Sequence, residues 1–269
     1  MADKQDIKEA IDKVDVQAVS TDLPGPQGQT REVVRETPLT IEIKDVGVYT
    51  IMCTPCDAVA LAVGFAFSEG LIERREDINV LMKCPDDPNV IRMQLAQKKK
   101  AAGGERHLLI VSSCGMCGSE DMEKVINSLP KVADNIRLTS GKLVKLTEQL
   151  QAEQQIFQRT GGTHAAGIMR DGELIAWSED LGRHNAFDKA VGLCLLKGLN
   201  PAGTVGVMSG RVSFELVAKA ARAGVELIAA VSAPSTLALE VARRCNITLC
   251  GFVRGTEATI YTHPHRIVG

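Results

Sequence analysis

Two cysteines separated by two residues carry the clearest chemistry in the chain. Cys114 and Cys117 stand in Ser112-Ser113-Cys114-Gly115-Met116-Cys117-Gly118, directly after the apolar run Leu108-Leu109-Ile110-Val111. A thiolate pair of this spacing serves three chemistries. It can be half of a structural zinc site, completed by the upstream pair Cys53-Thr54-Pro55-Cys56, although the two pairs lie much farther apart than the roughly 15 to 20 residues of a zinc ribbon. It can be a thioredoxin-type dithiol, which needs a βαβ setting; the run Lys98-Lys99-Lys100 and the loop Ala101-Ala102-Gly103-Gly104 precede it instead. It can also carry a persulfide and pass sulfur on. The residues alone leave these three open.

The elements that must position the pair are legible on both sides. The branched run before it is short enough for a strand, and Ser119-Glu120-Asp121-Met122-Glu123 reads as a helix start with a capping serine and acidic residues in the first turn. Cysteines at such a strand-to-helix junction face backbone N–H groups and the positive end of a helix dipole. That environment favours the thiolate, the species that attacks sulfur and binds metals.

The 269 residues are 45% hydrophobic with a formal charge of -2, enough for a sizeable core and with no global basic field to hold nucleic acid. The charged start leads into no apolar stretch of membrane length, so the expectation is a cytoplasmic protein with no membrane partner. Eight cysteines without a signal peptide argue for reduced thiols, with Cys194, Cys245 and Cys250 as inert core.

Residues 1–30 are polar, are broken by Pro24-Gly25-Pro26, and are expected to form a poorly ordered lead-in. A mixed β/α domain follows over 31–138. It has a hairpin of Leu39–Ile43 and Val48–Ile51, a helix capped by Asp57 and ended by Gly70, and strands over Ile78–Met82 and Val90–Leu95. An α/β domain occupies 139–269. A helix from Ser140 to Phe157 is closed by Gly161-Gly162, and then helices over Asn185–Leu196, Phe214–Ala223 and Thr236–Arg244 alternate with strands over Thr204–Met208, Glu226–Val231 and Ile247–Val253. Such alternation signals parallel strands covered by helices, which bind ligands beyond the carboxyl ends of the strands. Three junctions qualify: Ser209-Gly210-Arg211, Ser232-Ala233-Pro234-Ser235 and Phe252-Val253-Arg254-Gly255-Thr256.

The stretch Ser112 to Gly118, with Gly161-Gly162-Thr163-His164-Ala165-Ala166-Gly167 and Glu179-Asp180-Leu181-Gly182-Arg183-His184-Asn185-Ala186-Phe187-Asp188-Lys189, resembles the formate dehydrogenase accessory sulfurtransferase family. Ser209-Gly210-Arg211-Val212-Ser213 and Tyr261-Thr262-His263-Pro264 extend the likeness from about Thr37 to the end. The resemblance implies a sulfurtransferase whose C-terminal domain is cytidine-deaminase-like. A cysteine desulfurase would hand sulfane sulfur to Cys114, with Cys117 assisting, for delivery to the molybdenum or tungsten bis(molybdopterin guanine dinucleotide) cofactor of a formate dehydrogenase. That cofactor would be held by Phe252, Val253, Arg254, Gly255, Thr256 and Glu257, with Ser209, Gly210 and Arg211 as a further phosphate candidate and a guanine nucleotide as surrogate ligand. The resemblance also implies a homodimer with no permanent cofactor or metal of its own. A glycine commonly stands in the family where this chain has Cys56. His164 and His184 read as turn caps or partners of buried carbonyls, because a zinc deaminase needs H-x-E followed by P-C-x-x-C and neither is present. A cofactor-holding chaperone that moves no sulfur is the alternative of a different class.

Overall fold

The computed structural model describes residues 4–22, 25–96 and 119–269. Cys114, Cys117 and the strand expected before them lie outside the described residues.

The sequence predicts no structure over residues 1–30, and the structure corrects this. α1 (Lys4–Glu9) leads into an antiparallel hairpin of β1 (Ile11–Ala18) and β2 (Gln27–Val34), registered from Ile11 opposite Val34 to Ala18 opposite Gln27. Both faces of this ribbon are largely solvated, so its strands are polar and lack the alternation that betrays a half-buried strand. Ile7, Ala10 and Ile11 anchor its base against Ile156 and Cys56.

The next unit is a four-stranded sheet in the order β4-β3-β6-β5, made of β3 (Thr37–Ile43), β4 (Gly47–Cys53), β5 (Ile78–Lys83) and β6 (Val90–Leu95), with α2 (Ala58–Ser68) inserted after β4. Asp57 occupies the N-cap position of α2 as expected, but with φ 52° and no capping hydrogen bond. Its carboxylate instead accepts from the Ser178 hydroxyl at 2.6 Å.

The chain resumes with α3 (Ser119–Ser128), at the expected helix start, then β7 (Leu138–Thr139), α4 (Ser140–Glu153) and α5 (Gln155–Thr160), which Gly161 ends in the left-handed conformation. A hairpin of β8 (His164–Arg170) and β9 (Glu173–Asp180) precedes α6 (Arg183–Leu196). After it come β10 (Val205–Met208), α7 (Phe214–Arg222), β11 (Leu227–Ala230), α8 (Thr236–Arg244), β12 (Thr248–Arg254), β13 (Glu257–Thr262) and β14 (Ile267–Val268), the last paired with β7. The large sheet runs β13-β12-β11-β10-β8-β9, with β10, β11 and β12 parallel and the others antiparallel. This is the mixed, layered α/β arrangement expected; the deaminase likeness rests on the family resemblance alone.

Leu143, Leu146 and Leu150 of α4 close one face of the large sheet over Ala165, Val207 and Ala229. The other face lies under α6, α7 and α8, and one continuous cluster of buried side chains runs from Leu39 and Ile91 through Phe65 and Phe187 to Ile228 and Leu249. The segments 31–138 and 139–269 therefore share a core, and their boundary falls inside β7.

The joint between them is the crossing of α2 and α6. α2 is apolar all round and buried along its length, the signature of a helix that sits between layers. A Cβ on Gly64 would lie 1.8 Å from the Asp188 carbonyl oxygen, and one on Gly192 would lie 1.9 Å from that of Ala60. The two backbones touch, and no other residue type fits at either position.

Candidate functional site

The motif from Glu179 to Lys189 joins the end of β9 to α6, and most of its polar residues hold the fold together. Lys189 is fully buried and spends its three protons on protein groups: the Asp180 carboxylate at 2.6 Å, the Thr54 carbonyl at 2.9 Å and the Glu179 carbonyl at 3.3 Å. Burial alone would lower its pKa, but the Asp180 carboxylate and the neighbouring Cys56 and Cys53 thiols raise it. Asp180 also accepts from the Thr54 and Gly182 N–H groups, and Glu179 accepts from the Ile156 and Phe157 N–H groups and the Thr163 hydroxyl. Asp188 holds Lys219 at 2.5 Å and accepts from the Ser68 hydroxyl at 2.6 Å.

Cys53 and Cys56 sit inside this network, 1% and 2% exposed. Burial pushes the Cys53 thiol up to about 12 and the Cys56 thiol up to about 11, so both stay protonated at neutral pH. The Lys189 ammonium lies 3.6 Å from Cys56 Sγ, where it would repel a metal cation, so these two thiols do not fit the zinc set considered above. Among the described residues no cluster of three or more His, Cys, Asp or Glu could hold a metal. Cys84, Cys194, Cys245 and Cys250 are buried as well.

Two residues of the same motif, Arg183 and His184, do not belong to that clamp. They open α6 at the carboxyl end of β10, beside His164 and the Ser209-Gly210-Arg211 turn. Gly210 has to be glycine there, because a Cβ would stand 2.9 Å from His164 Nδ1. His184 does not satisfy a carbonyl, as its sequence context suggests; its Nε2 meets the Ser213 hydroxyl at 2.9 Å, and its Nδ1 lies 3.6 Å from Glu215 Oε2. Burial and the positive charges of Arg183 and Lys219 push His184 down to about 3, so it is neutral. Burial lowers His164 too, helped by Arg183 and Arg211. Burial raises the Glu215 carboxyl to about 7.

The third junction is not a strand-to-helix turn. Phe252 and Arg254 are still in β12, and Gly255 and Thr256 make the turn into β13. Phe252, Arg254, Thr256 and Glu257 line a groove of about 540 Å3 with Ser140, Leu143 and Val144 of α4. Val253 is buried in the core below, and Gly255 serves the turn with φ 58°. Phe252 holds φ 52°, an unusual conformation for an aromatic residue, and its half-exposed ring lies 5.7 Å from the Arg254 guanidinium carbon. Phe252 to Glu257 and Ser209 to Arg211 thus form two separate surfaces. The pairing of Ser213 with His184 escaped sequence reasoning because the two lie 29 residues apart in the chain.

The FdhD/NarQ family matches residues 34–268. A protein named "Sulfur carrier protein FdhD" from Bordetella bronchiseptica is 38% identical over 244 residues, 89% of this chain and 88% of that one. Another of that name from Thermoplasma volcanium is 37% identical over 249 residues, covering 88% and 89%. A crystal structure from Desulfotalea psychrophila, assigned to a formate dehydrogenase accessory protein, superposes with a TM-score of 0.77 at 24% identity, over 96% of this chain and all of that one. That likeness establishes the fold.

Proposed function

This chain belongs to the FdhD/NarQ family, and from that membership we propose that it is a sulfurtransferase serving formate dehydrogenase, with Cys114 as the sulfur carrier. One observation carries the choice of the pair, and Cys114 is taken within it from the family resemblance. Six of the eight cysteines are buried among the described residues, and Cys114 and Cys117 are the two that remain, immediately before the N-terminus of α3. The Cys114 thiolate attacks the outer sulfur of a persulfide on a cysteine desulfurase, the donor thiolate leaves, and Cys114 holds the sulfane sulfur with no net oxidation. The sulfur is then delivered as sulfide to the molybdenum or tungsten bis(molybdopterin guanine dinucleotide), which is cargo here and not a resident cofactor, the two electrons coming from attack of the Cys117 thiolate on the Cys114 sulfur, which leaves a Cys114–Cys117 disulfide. Cys117 releases or relays the sulfur. No helix among the described residues is long and apolar enough to cross a membrane.

The test is to incubate the protein with a desulfurase and labelled cysteine, then map the label by peptide mass spectrometry. One label on the peptide containing Cys114 is expected. No label on any cysteine, with the cofactor still bound, would replace sulfur transfer by a chaperone that only holds its cargo.

The groove beside β12 and β13 suits the nucleotide end of that cargo, with the Phe252 ring for a base and the Arg254 guanidinium for phosphate. Hydrogen bonds to charged groups contribute about 1.5 to 3 kcal/mol each. Arg254→Ala should therefore weaken guanosine diphosphate roughly tenfold or more, since about 1.4 kcal/mol is tenfold. Calorimetric titration checks this, and unchanged affinity would move the nucleotide away from Phe252 to Glu257.

A further inference from the structure

We propose that Ser213, His184 and Glu215 act as nucleophile, base and orienting carboxylate in the cleavage of activated carboxylic esters, an activity separate from sulfur transfer. Ser213 is the N-cap residue of α7, a position where a serine oxygen ordinarily accepts a first-turn N–H. It makes no such bond here. Its hydroxyl instead meets His184 Nε2 at 2.9 Å, and both side chains are only half-buried, so a small molecule can reach the pair. A serine whose hydroxyl is turned from its helix cap to an imidazole stands as a nucleophile does, beside a base.

The second observation lies on the far side of the imidazole. Glu215 Oε2 stands 3.6 Å from His184 Nδ1, longer than a hydrogen bond but close enough for its charge to set the tautomer. With Glu215 ionised, the ring proton sits on Nδ1 and Nε2 accepts from Ser213, the order of roles that a serine-histidine-acid relay requires. Lys219, 3.9 Å from Glu215 Oε1 and 2.5 Å from Asp188 Oδ2, anchors the carboxylate from behind.

The third observation concerns the charge that acyl transfer develops. Because Ser213 does not cap α7, the first-turn N–H groups of Glu215 and Leu216 have no acceptor among the described residues. N–H groups at a helix start, next to the nucleophile, are the donors that the oxyanion of a tetrahedral intermediate needs. Ser213 Oγ bonds to the acyl carbon while its proton passes to His184 Nε2, and that proton then goes to the departing oxygen. Water deprotonated by the same nitrogen attacks the acyl-serine and releases the acid, with no oxidation or reduction at any step. The burial that keeps His184 neutral also makes it a weak base, so the esters it opens are those whose leaving group departs easily.

The test uses the full-length protein, a fluorophosphonate probe that modifies activated serines, and para-nitrophenyl butyrate offered after the thiols are alkylated, so that Cys114 takes no part. Peptide mass spectrometry should place one probe adduct on Ser213. Ester turnover should vanish in Ser213→Ala, a change that removes a single hydrogen bond, and His184→Gln should slow labelling by about a hundredfold or more. The pH profile tests Glu215, which faces His184, Arg183 and Asp188 of α6, Lys219 of its own helix and Glu69 at the end of α2. Burial raises Glu215 to about 7 and only its ionised form sets the tautomer, so labelling should quicken as pH rises through about 7, and Glu215→Gln should flatten that rise. The proposal is overturned if the probe leaves Ser213 of the wild-type protein unmodified, if Ser213→Ala keeps its ester turnover, or if the wild-type profile is flat across this range.

Discussion

A Cys114→Ala chain will fold, take no sulfur from a persulfide donor and leave its formate dehydrogenase client inactive. The expectation follows from what sulfur exchange demands. The attacking group must be a thiolate that a partner can reach, and neither alanine nor a serine hydroxyl offers one. No buried cysteine can substitute. Burial holds Cys53, Cys194, Cys245 and Cys250 at about 11 to 12, with Cys56 at about 11 beside them, and no donor protein could approach them. Cys250→Ala should accordingly leave transfer intact. Client activity and bound labelled sulfur are measured side by side; an active Cys114→Ala variant would refute the assignment.

The second large effect is on stability. Lys189→Ala strands the Asp180 carboxylate, and with it the Thr54 and Glu179 carbonyls, in the interior. Breaking a buried ion pair by removing one partner typically costs about 3 to 5 kcal/mol, a large part of the 5 to 15 kcal/mol that holds a native domain. The denaturation midpoint should fall accordingly with an unchanged slope. Replacing both partners, Lys189→Met with Asp180→Asn, should recover part of the loss. Because the folded-state pKa of Lys189 is raised, its contribution is complete below the unfolded value near 10.4 and fades only as pH rises through the folded value above that. Across the neutral range the penalty should not vary. A variant as stable as the parent would show that the pair adds nothing net.

The sequence was most readable where one face of an element is buried and its partners are close. α8 was expected over Thr236–Arg244 and lies there, and the β3–β4 hairpin and the parallel β10 to β12 stand within a residue or two of their expected spans. The β8–β9 hairpin was missed, since His164-Ala165-Ala166-Gly167 is too rich in small residues to show a strand pattern. A signal was present in Asp171-Gly172, whose positive φ values of 54° and 87° make the tight turn that such a dipeptide favours. The buried charges could not be foreseen in pairs. Lys189 finds Thr54, and Asp188 finds Ser68, across more than a hundred residues. Phe252 to Thr256 reads in sequence as a turn after a strand, whereas Phe252 to Arg254 still belong to β12, because a strand that runs past its neighbours looks in sequence like a strand that has ended.

The backbone contact of Gly64 with Asp188, and of Gly192 with Ala60, also sets a timetable for synthesis. α2 leaves the ribosome carrying Leu61, Val63, Phe65 and Phe67 with one of its two covering surfaces not yet translated. At about 5 to 20 residues per second, the wait for α6 is on the order of ten seconds. Throughout that interval the nascent chain exposes an apolar helix that no local contact can hide, which makes it a natural client for ribosome-associated chaperones.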